Sequence, residues 1–174
     1  LDALAFGAGP GAFTGLRVAC GVAQGLAVGA GLPVVPVCGL EAMAASLGEF
    51  RVLSLLDARM GEVYAAAYER RDASLELRGE IRVGSPATLD LPANGDWIAC
   101  GNALAAYPEL AERLRTAGFA LRPGVLPQAG AVAQLAAHRL AYGAGIDPAQ
   151  AAPLYVRDKV ARTIRERLDA GGKA

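Results

Sequence analysis

The chain contains 174 residues, of which 53% are hydrophobic, and its 17 basic side chains balance 17 acidic ones. Zero formal net charge argues against a protein that binds nucleic acid through bulk positive charge. The large apolar fraction, with only 20% charged residues, excludes an intrinsically disordered chain. The length suffices for one large domain or two small ones.

The cysteines and the single histidine restrict the chemistry further. Cys20, Cys38 and Cys100 are an odd number, lie in apolar stretches and form no CxxC pair, which predicts reduced core residues in a cytoplasmic protein rather than disulfides or a zinc site. His138 is the only histidine, so a multi-histidine metal site is excluded. No basic segment follows Leu1, and we therefore predict no signal peptide.

Residues 18–40 carry no charge and are long enough to span a bilayer. Five glycines and the two prolines Pro33 and Pro36 divide this stretch into a helix-length piece and a strand-length piece. A buried helix followed by a buried strand explains the pattern better, so we predict no membrane insertion.

Strands and helices alternate in the first part of the chain. We expect a strand over residues 1–6, a glycine-rich turn over 7–13, a helix over 14–30, a strand over 33–37 and a helix over 40–47. Thr14 is the predicted N-cap of the longer helix, and Gly31 and Gly48 are predicted to end the two helices.

The remainder of the chain begins with a predicted hairpin. Its strands cover residues 51–56 and 62–69, and the further predicted elements are strands over 75–83 and 97–100, helices over 103–117 and 128–142, and a mostly helical segment over 147–168. This order indicates an α/β protein with a mixed sheet, arranged as two lobes joined near Gly48.

The glycine-rich turn is the first candidate site. It contains Gly7, Gly9, Pro10, Gly11, Phe13, Thr14 and Gly15. Gly7, Gly9 and Ala12 satisfy a dinucleotide-binding fingerprint, in which a phosphate lies on a helix N-terminus. However, Pro10 lacks an amide donor, no P-loop lysine follows, and no acidic residue ends the next strand. The alternative is a tight structural connection that uses glycine for its unusual dihedral angles.

Gly21, Gly25 and Gly29 recur every four residues and line one face of the predicted long helix. Each glycine in a helix costs roughly 0.5–1 kcal/mol relative to alanine. Close approach of another helix or strand would offset this cost. That neighbour is either another part of this chain or another subunit, and the sequence leaves both alternatives open.

The predicted hairpin turn is the last candidate. It carries Asp57, Arg59, Met60, Gly61 and Glu62. An aspartate at a strand tip beside glycine can position a metal-bound phosphate, but such residues are more often polar groups of an ordinary hairpin. His138 has no serine or cysteine nucleophile at motif spacing and is interpreted as an ordinary helix residue.

Three segments resemble the TsaB (YeaZ) family of TsaD-related, glycoprotease-like proteins. They are the string over residues 4–18 with Gly25-Leu26-Ala27 after it, the string over 57–64, and Pro153-Leu154-Tyr155-Val156-Arg157. They occur in the family's order and span almost the whole chain, whereas residues 72–151 match mainly in the order of elements.

The resemblance implies an actin-like (ASKHA), two-lobed, RNase-H-like fold. Residues 1–48 would then be the remainder of an N-terminal lobe, and residues 49–174 a C-terminal RNase-H-like lobe. Members of the family normally begin with a strand bearing an Asp-Thr motif, a hairpin and a helix. None of these precedes Leu1, so the N-terminal lobe is expected to be incomplete, with apolar surface exposed.

The resemblance also implies a function. Such a protein is a noncatalytic accessory partner of TsaD in threonylcarbamoyl transfer to the tRNA adenosine beside the anticodon (t6A), and it pairs with TsaD or with a second copy of itself. ATP and the metal are expected on TsaD, TsaE joins the assembly, and tRNA is reached only through the complex. Arg17, Gly21, Gly25 and Gly29 become candidate interface residues, and no residue is expected to be catalytic or to bind metal.

A nucleotide-binding enzyme that uses the glycine-rich turn and Asp57 is the alternative function. The segment over residues 157–169 is a separate candidate for tRNA contact. It holds five basic residues, Arg157, Lys159, Arg162, Arg165 and Arg167, against three acidic ones. A solvated helix face is the alternative explanation of that pattern.

Overall fold

The structure is a computed structural model that describes residues 1–72, 74–93 and 96–156. Its strands are β1 (Leu4–Gly9), β2 (Val34–Cys38), β3 (Arg51–Arg59), β4 (Glu62–Arg71), β5 (Ser74–Gly84), β6 (Ile98–Cys100) and β7 (Ala120–Arg122). Its helices are α1 (Phe13–Ala30), α2 (Gly39–Leu47), α3 (Ala103–Ala106), α4 (Pro108–Thr116) and α5 (Ala129–Ala141).

The described strands form two sheets. In the first, β1 and β2 pair in parallel and are connected through α1. In the second, the order is β5-β4-β3-β6-β7, with β5, β4 and β3 antiparallel and β3, β6 and β7 parallel. The predicted α/β class with a mixed sheet is therefore confirmed.

The two sheets fall on either side of Gly48, yet α5, from the later part of the chain, packs on β1, β2 and α2. The division into residues 1–48 and 49–174 stays a prediction.

Strand β3 is the centre of the larger core. Leu53 and Leu55 contribute to the side of the sheet that also holds Leu110, whereas Val52 packs with Met43 on the other side. This alternation follows from the two-residue period of a strand, and β3 is buried on both faces because helices cover both. Each fully buried aliphatic side chain contributes about 1.5–3 kcal/mol to folding.

Helix α1 begins one residue before the predicted start. Ala12 occupies the N-cap position in an extended conformation, and its carbonyl oxygen accepts the first helical hydrogen bond, from the amide of Leu16 at 3.0 Å. Thr14 thus lies inside the first turn, where no side-chain cap hydrogen bond is made, and the prediction that it caps the helix is wrong. Gly31 ends the helix in a left-handed conformation, as predicted.

The predicted helix over residues 103–117 is two helices. Tyr107 leaves the helical region at φ −129° and ψ 84°, and Pro108 then starts α4. A proline lacks the amide that the helix needs and disfavours the α conformation at the residue before it, so the chain breaks here. Strand β7, which has only three residues, was not predicted.

The start of the predicted helix over residues 147–168 is also wrong. A 3₁₀ turn over Pro148–Gln150 is followed by a non-helical segment over residues 151–156, in which Pro153 is incompatible with a helix interior. Asp147 begins the turn by accepting a hydrogen bond from the amide of Ala149 at 2.8 Å. The rest of that prediction, including the basic segment over 157–169, lies outside the described residues.

Gly101 directly follows β6 and lies against Leu55 of the neighbouring strand β3. Its φ is +120°, and a Cβ atom at this position would lie 1.9 Å from the carbonyl oxygen of Leu55. Only glycine fits, because both the dihedral angle and the contact exclude a side chain.

Within the described ranges, α1 is the one helix long and apolar enough to cross a membrane by length and composition. This indication is weak, since a helix layered on a sheet passes the same test. Cys20, Ala23 and Ala27 of α1 are buried, in one cluster with Phe6 of β1 and Val34 of β2.

Candidate functional site

The three segments singled out in the sequence meet in one cleft. This signature cleft has a volume of about 390 Å³ and lies between the start of α1, the β3–β4 hairpin and the segment after the 3₁₀ turn. Its walls are Gly11, Ala12, Phe13, Leu16, Leu56, Asp57, Ala58, Arg59, Tyr64, Asn102, Leu154, Tyr155 and Val156. Segments 40 to 140 positions apart are thus brought together, as expected if they form one functional unit.

The glycine-rich turn is held by the closing segment, residues 153–156. The amide of Leu154 donates a hydrogen bond to the carbonyl oxygen of Ala8 at 2.7 Å. Gly9, at φ +120°, has the Leu154 carbonyl oxygen so close that a Cβ atom would lie 3.0 Å from it. The Gly9–Pro10 peptide bond is cis. Glycine at position 9 is therefore explained by chain packing.

The other glycines of the turn are less constrained. An added Cβ atom at Gly7 or Gly15 would meet nothing within 4 Å, and at Gly11 it would make ordinary contact with Leu16 at 3.7 Å.

An aromatic and cationic cluster lies at the mouth of the cleft. The guanidinium of Arg17 stacks 3.7 Å from the ring centroid of Phe13, and its Nε donates a hydrogen bond to the Tyr155 hydroxyl at 3.1 Å. The rings of Phe13 and Tyr155 are 6.1 Å apart. Arg17, one of the candidate interface residues, thus contacts the closing segment of its own chain while its side chain stays exposed.

The second-signature turn is a tight hairpin. Met60 and Gly61 link β3 to β4 with φ values of 56° and 74°, as in a type I′ turn. Arg59, before them, also has a positive φ of 61°, and its amide donates to Oδ1 of Asp57 at 2.8 Å. The Arg59 guanidinium reaches Oδ2 of Asp57 at 3.3 Å. Glu62 is the first residue of β4.

Two residues that the sequence analysis did not select complete the surroundings of Asp57. The Tyr107 hydroxyl lies 2.9 Å from Oδ1 of Asp57 and 3.2 Å from the carbonyl oxygen of Glu62. The Asp57 amide donates to Oδ1 of Asn102 at 2.9 Å. Burial, followed by the hydrogen bond to Asp57, raises the pKa of Tyr107, so the phenol stays protonated at neutral pH.

One signal could have found Asn102. It follows β6, which runs parallel to β3, and the carboxyl ends of parallel strands meet at one edge of a sheet. The position of Tyr107 in the sequence did not indicate that it would lie near Asp57. The Asp57 carboxylate accepts hydrogen bonds from Arg59 and Tyr107 and so stabilises the hairpin. A metal-bound phosphate would have to compete with these partners.

Metal-ligand clusters are not found in the described residues: no three or more His, Cys, Asp or Glu side chains are grouped there to hold an ion. His138 lies on α5, away from the signature cleft, with its ring 5.1 Å from that of Tyr142. Cys20, Cys38 and Cys100 are free thiols, as predicted.

The predicted glycine face of α1 points outward. An added Cβ atom at Gly21, Gly25 or Gly29 would meet nothing within 4 Å, so packing against another described part of this chain, one of the two alternatives, is wrong. Exposed apolar side chains flank these glycines. We call the resulting surface the α1 stripe: Val18, Gly21, Val22, Gly25, Leu26 and Gly29.

Comparisons with known proteins agree with the family resemblance seen in the sequence. The family model described as TsaD, tRNA N6-adenosine threonylcarbamoyltransferase, matches residues 1–163. The TsaB biosynthesis protein for tRNA threonylcarbamoyladenosine from Escherichia coli (strain K12) is 37% identical over 171 residues, covering 92% of this chain and 73% of the relative. The TsaB protein of Haemophilus influenzae is 36% identical over 174 residues, covering 92% and 72%.

Two solved structures are similar to this chain over most of its length. A Pseudomonas aeruginosa protein, described as uncharacterized with similarity to peptidase YEAZ, has a TM-score of 0.81 and 36% identity, covering 90% of this chain and 74% of that one. YeaZ from Pseudomonas aeruginosa has a TM-score of 0.79 and 36% identity, covering 89% and 75%. These matches confirm the expected actin-like, RNase-H-like fold. The chain belongs to the TsaD-type family and, within it, to the TsaB (YeaZ) proteins.

Proposed function

We propose that this chain is a noncatalytic subunit for t6A biosynthesis on tRNA, which acts by forming a heterodimer with TsaD through the α1 stripe. The names of its curated relatives place those proteins in threonylcarbamoyladenosine biosynthesis. The observation that carries the interface is the exposure of Val18, Val22 and Leu26, at 59%, 55% and 58%, beside three glycines on one helix face.

The physical argument concerns helix packing. Three interior glycines cost α1 roughly 1.5–3 kcal/mol in total at the usual penalty for each. Nothing in the described chain contacts their open sides to offset this cost. A helix that lies against the stripe can approach closer than the usual axial distance of about 8–10 Å, because no side chains intervene. The flanking valines and leucine would lose their exposed apolar surface in the same contact.

The noncatalytic role is supported by the surroundings of Asp57. Its carboxylate already accepts hydrogen bonds from Tyr107 and from the amide of Arg59. In this proposal ATP and the metal belong to TsaD, TsaE joins the cytoplasmic assembly, and tRNA is contacted through the complex. The stripe pairs with a second copy of the chain when TsaD is absent.

Gly25→Leu tests the interface. Leucine at this position has open space in the free chain and a better helix propensity than glycine by up to about 1 kcal/mol, so the free protein keeps or gains stability. At the closest approach of a partner helix the same side chain prevents contact. We expect weaker association with TsaD by isothermal titration calorimetry and less t6A on tRNA in a reconstituted reaction.

Gly130→Leu is the matched control, since Gly130 is also a helical glycine with open space around it, on α5. This variant should bind TsaD normally. Normal TsaD binding and normal tRNA modification by the Gly25→Leu protein would refute the interface.

The rival function, a nucleotide-binding enzyme, has its own test. Calorimetry with ATP or NAD on the isolated full-length protein should show no binding if the proposal holds. Micromolar binding that is lost in the Asp57→Ala variant would favour the rival, because both the glycine-rich turn and Asp57 would then serve a ligand.

A further inference from the structure

A second cavity lies at the opposite end of the β3–β4 hairpin from the signature cleft. This Arg70 cavity has a volume of about 410 Å³ and is bounded by α2, the end of β4, the start of β5 and α5. Its polar wall consists of Glu41, Arg70, Ser74, Gln134, His138 and Arg139. None of these residues has a role in the proposed interface or in the signature cleft.

Arg70 is the unusual member of this wall. Its Nε is buried and has no hydrogen-bond partner among the described residues. A buried donor without an acceptor costs about 1–3 kcal/mol, and more when it carries charge. Arg70 is one of the residues that line the cavity, so an acceptor bound there would lie next to it.

The neighbouring arginines are neutralised by carboxylates. Arg139 donates to both carboxylate oxygens of Glu41, at 2.7 and 2.5 Å, and Arg71 pairs with Glu76 at 3.2 Å. The one carboxylate on the cavity wall is therefore already paired, and the charge of Arg70 is left uncompensated there.

We propose that the Arg70 cavity binds a small oxyanion of the phosphate class. A guanidinium holds a phosphate through two parallel N–H···O bonds, which would satisfy the buried Nε. The Gln134 amide and the His138 ring, from α5, supply further donors from another side, which suits a tetrahedral group better than a planar carboxylate. RNA is the less favoured source of phosphate, because a polyanion needs several uncompensated cations.

The single histidine of the chain provides a direct probe. We would titrate inorganic phosphate into the full-length protein at constant pH and ionic strength and follow the imidazole resonances of His138 by NMR. A saturable shift is expected. Arg70→Gln should weaken phosphate binding by about tenfold or more, the ratio typical of a lost charge-assisted hydrogen bond. Arg115→Gln, which removes an exposed arginine from α4, should bind phosphate like the parent protein.

A second variant tests the proposal independently, in case the Arg70→Gln protein does not fold. Gln134 is exposed, so Gln134→Glu should preserve the fold while placing a negative charge on the cavity wall, and phosphate binding should weaken. Acetate and a short oligoribonucleotide serve as comparison ligands. No saturable shift, equal binding by the Arg70→Gln protein, or binding of the oligonucleotide or acetate in preference to phosphate would each overturn the proposal. None of these readouts depends on TsaD or on tRNA modification.

Discussion

The hydroxyl group of Tyr107 lies 2.9 Å from Oδ1 of Asp57, although the two residues are 50 positions apart in the chain. Tyr107 is the residue at which α3 ends and α4 is about to begin, and Asp57 lies just before the tip of the β3–β4 hairpin. This contact joins the hairpin tip to the segment between α3 and α4, so Asp57 contributes to the stability of the fold.

Tyr107→Phe removes that hydroxyl and should lower the free energy of unfolding by about 1 kcal/mol, the net value of a typical hydrogen bond. Urea unfolding followed by circular dichroism measures the change. Tyr142→Phe is the control, because Tyr142 is 80% exposed and should tolerate the change within about 0.5 kcal/mol. Equal stability of the two variants would show that the Tyr107 contact is unimportant.

Gly101→Ala should be among the most damaging single changes in the chain. Its Cβ atom would lie 1.9 Å from the Leu55 carbonyl oxygen, so β3 and β6 must move apart or the chain must refold locally. We expect a loss above about 4 kcal/mol, or failure to fold. Gly118→Ala is the comparison, since Gly118 also has a positive φ, of 86°, but open space around it.

For the Gly118→Ala variant we expect a loss of about 1–2 kcal/mol, from backbone strain alone. Thermal unfolding of both variants measures the two losses of stability, and their difference gives the part due to the clash with Leu55. Similar losses in the two variants would contradict the close approach of Gly101 and Leu55.

Cys100 should make the fold sensitive to alkali. Burial raises the pKa of the Cys100 thiol from 9.0 to about 11, and burial raises the pKa of Tyr68 as well. Because the folded state holds these protons more tightly than the unfolded state, stability is fully present below pH 9 and is lost as the pH rises toward 11. The loss of stability that Cys100 causes over this range is on the order of 3 kcal/mol.

Urea midpoints measured across this pH range would reveal the loss. Cys100→Ala should show a smaller dependence on pH, whatever its stability at neutral pH. An unchanged dependence in this variant would show that the thiol does not contribute.

A backbone hydrogen bond ties the closing segment to β1. Leu154→Pro removes the N–H that donates to Ala8 and should cost about 1 kcal/mol more than Leu154→Ala, which keeps it. Limited proteolysis, with the cut sites identified by mass spectrometry, should show faster cleavage near residue 154 in the proline variant. Equal protection of the two proteins would argue that side-chain contacts alone hold the segment.

Local patterns predicted most of the regular structure. The hairpin of β3 and β4 followed from alternating apolar residues around a turn with Gly61, and the ends of α1 and α2 followed from Gly31 and Gly48, which adopt left-handed conformations. The break at Pro108 could also have been predicted, because proline is unfavourable inside a helix. Strand β7 could not, since three residues are too few to show a period.

The candidate site was only partly accessible to such reasoning. Sequence motifs selected the three segments that line the signature cleft, but the contact of Arg17 with Tyr155 joins residues 138 positions apart and exists only in the folded chain. The same holds for Arg70, because the lack of a hydrogen-bond partner at its Nε depends on residues that only the fold brings near it. The four-residue spacing did identify the glycine face of α1, but the direction in which this face points required the packing of Cys20, Ala23 and Ala27 on the first sheet.

The outward direction of that stripe has a consequence for stoichiometry. If the proposed interface holds, one face accommodates one neighbour at a time, and self-pairing and pairing with TsaD compete by mass action. Overproducing this subunit alone would then leave many of its molecules sequestered with each other, and the yield of the mixed assembly would depend on the ratio of the two proteins rather than on the abundance of either.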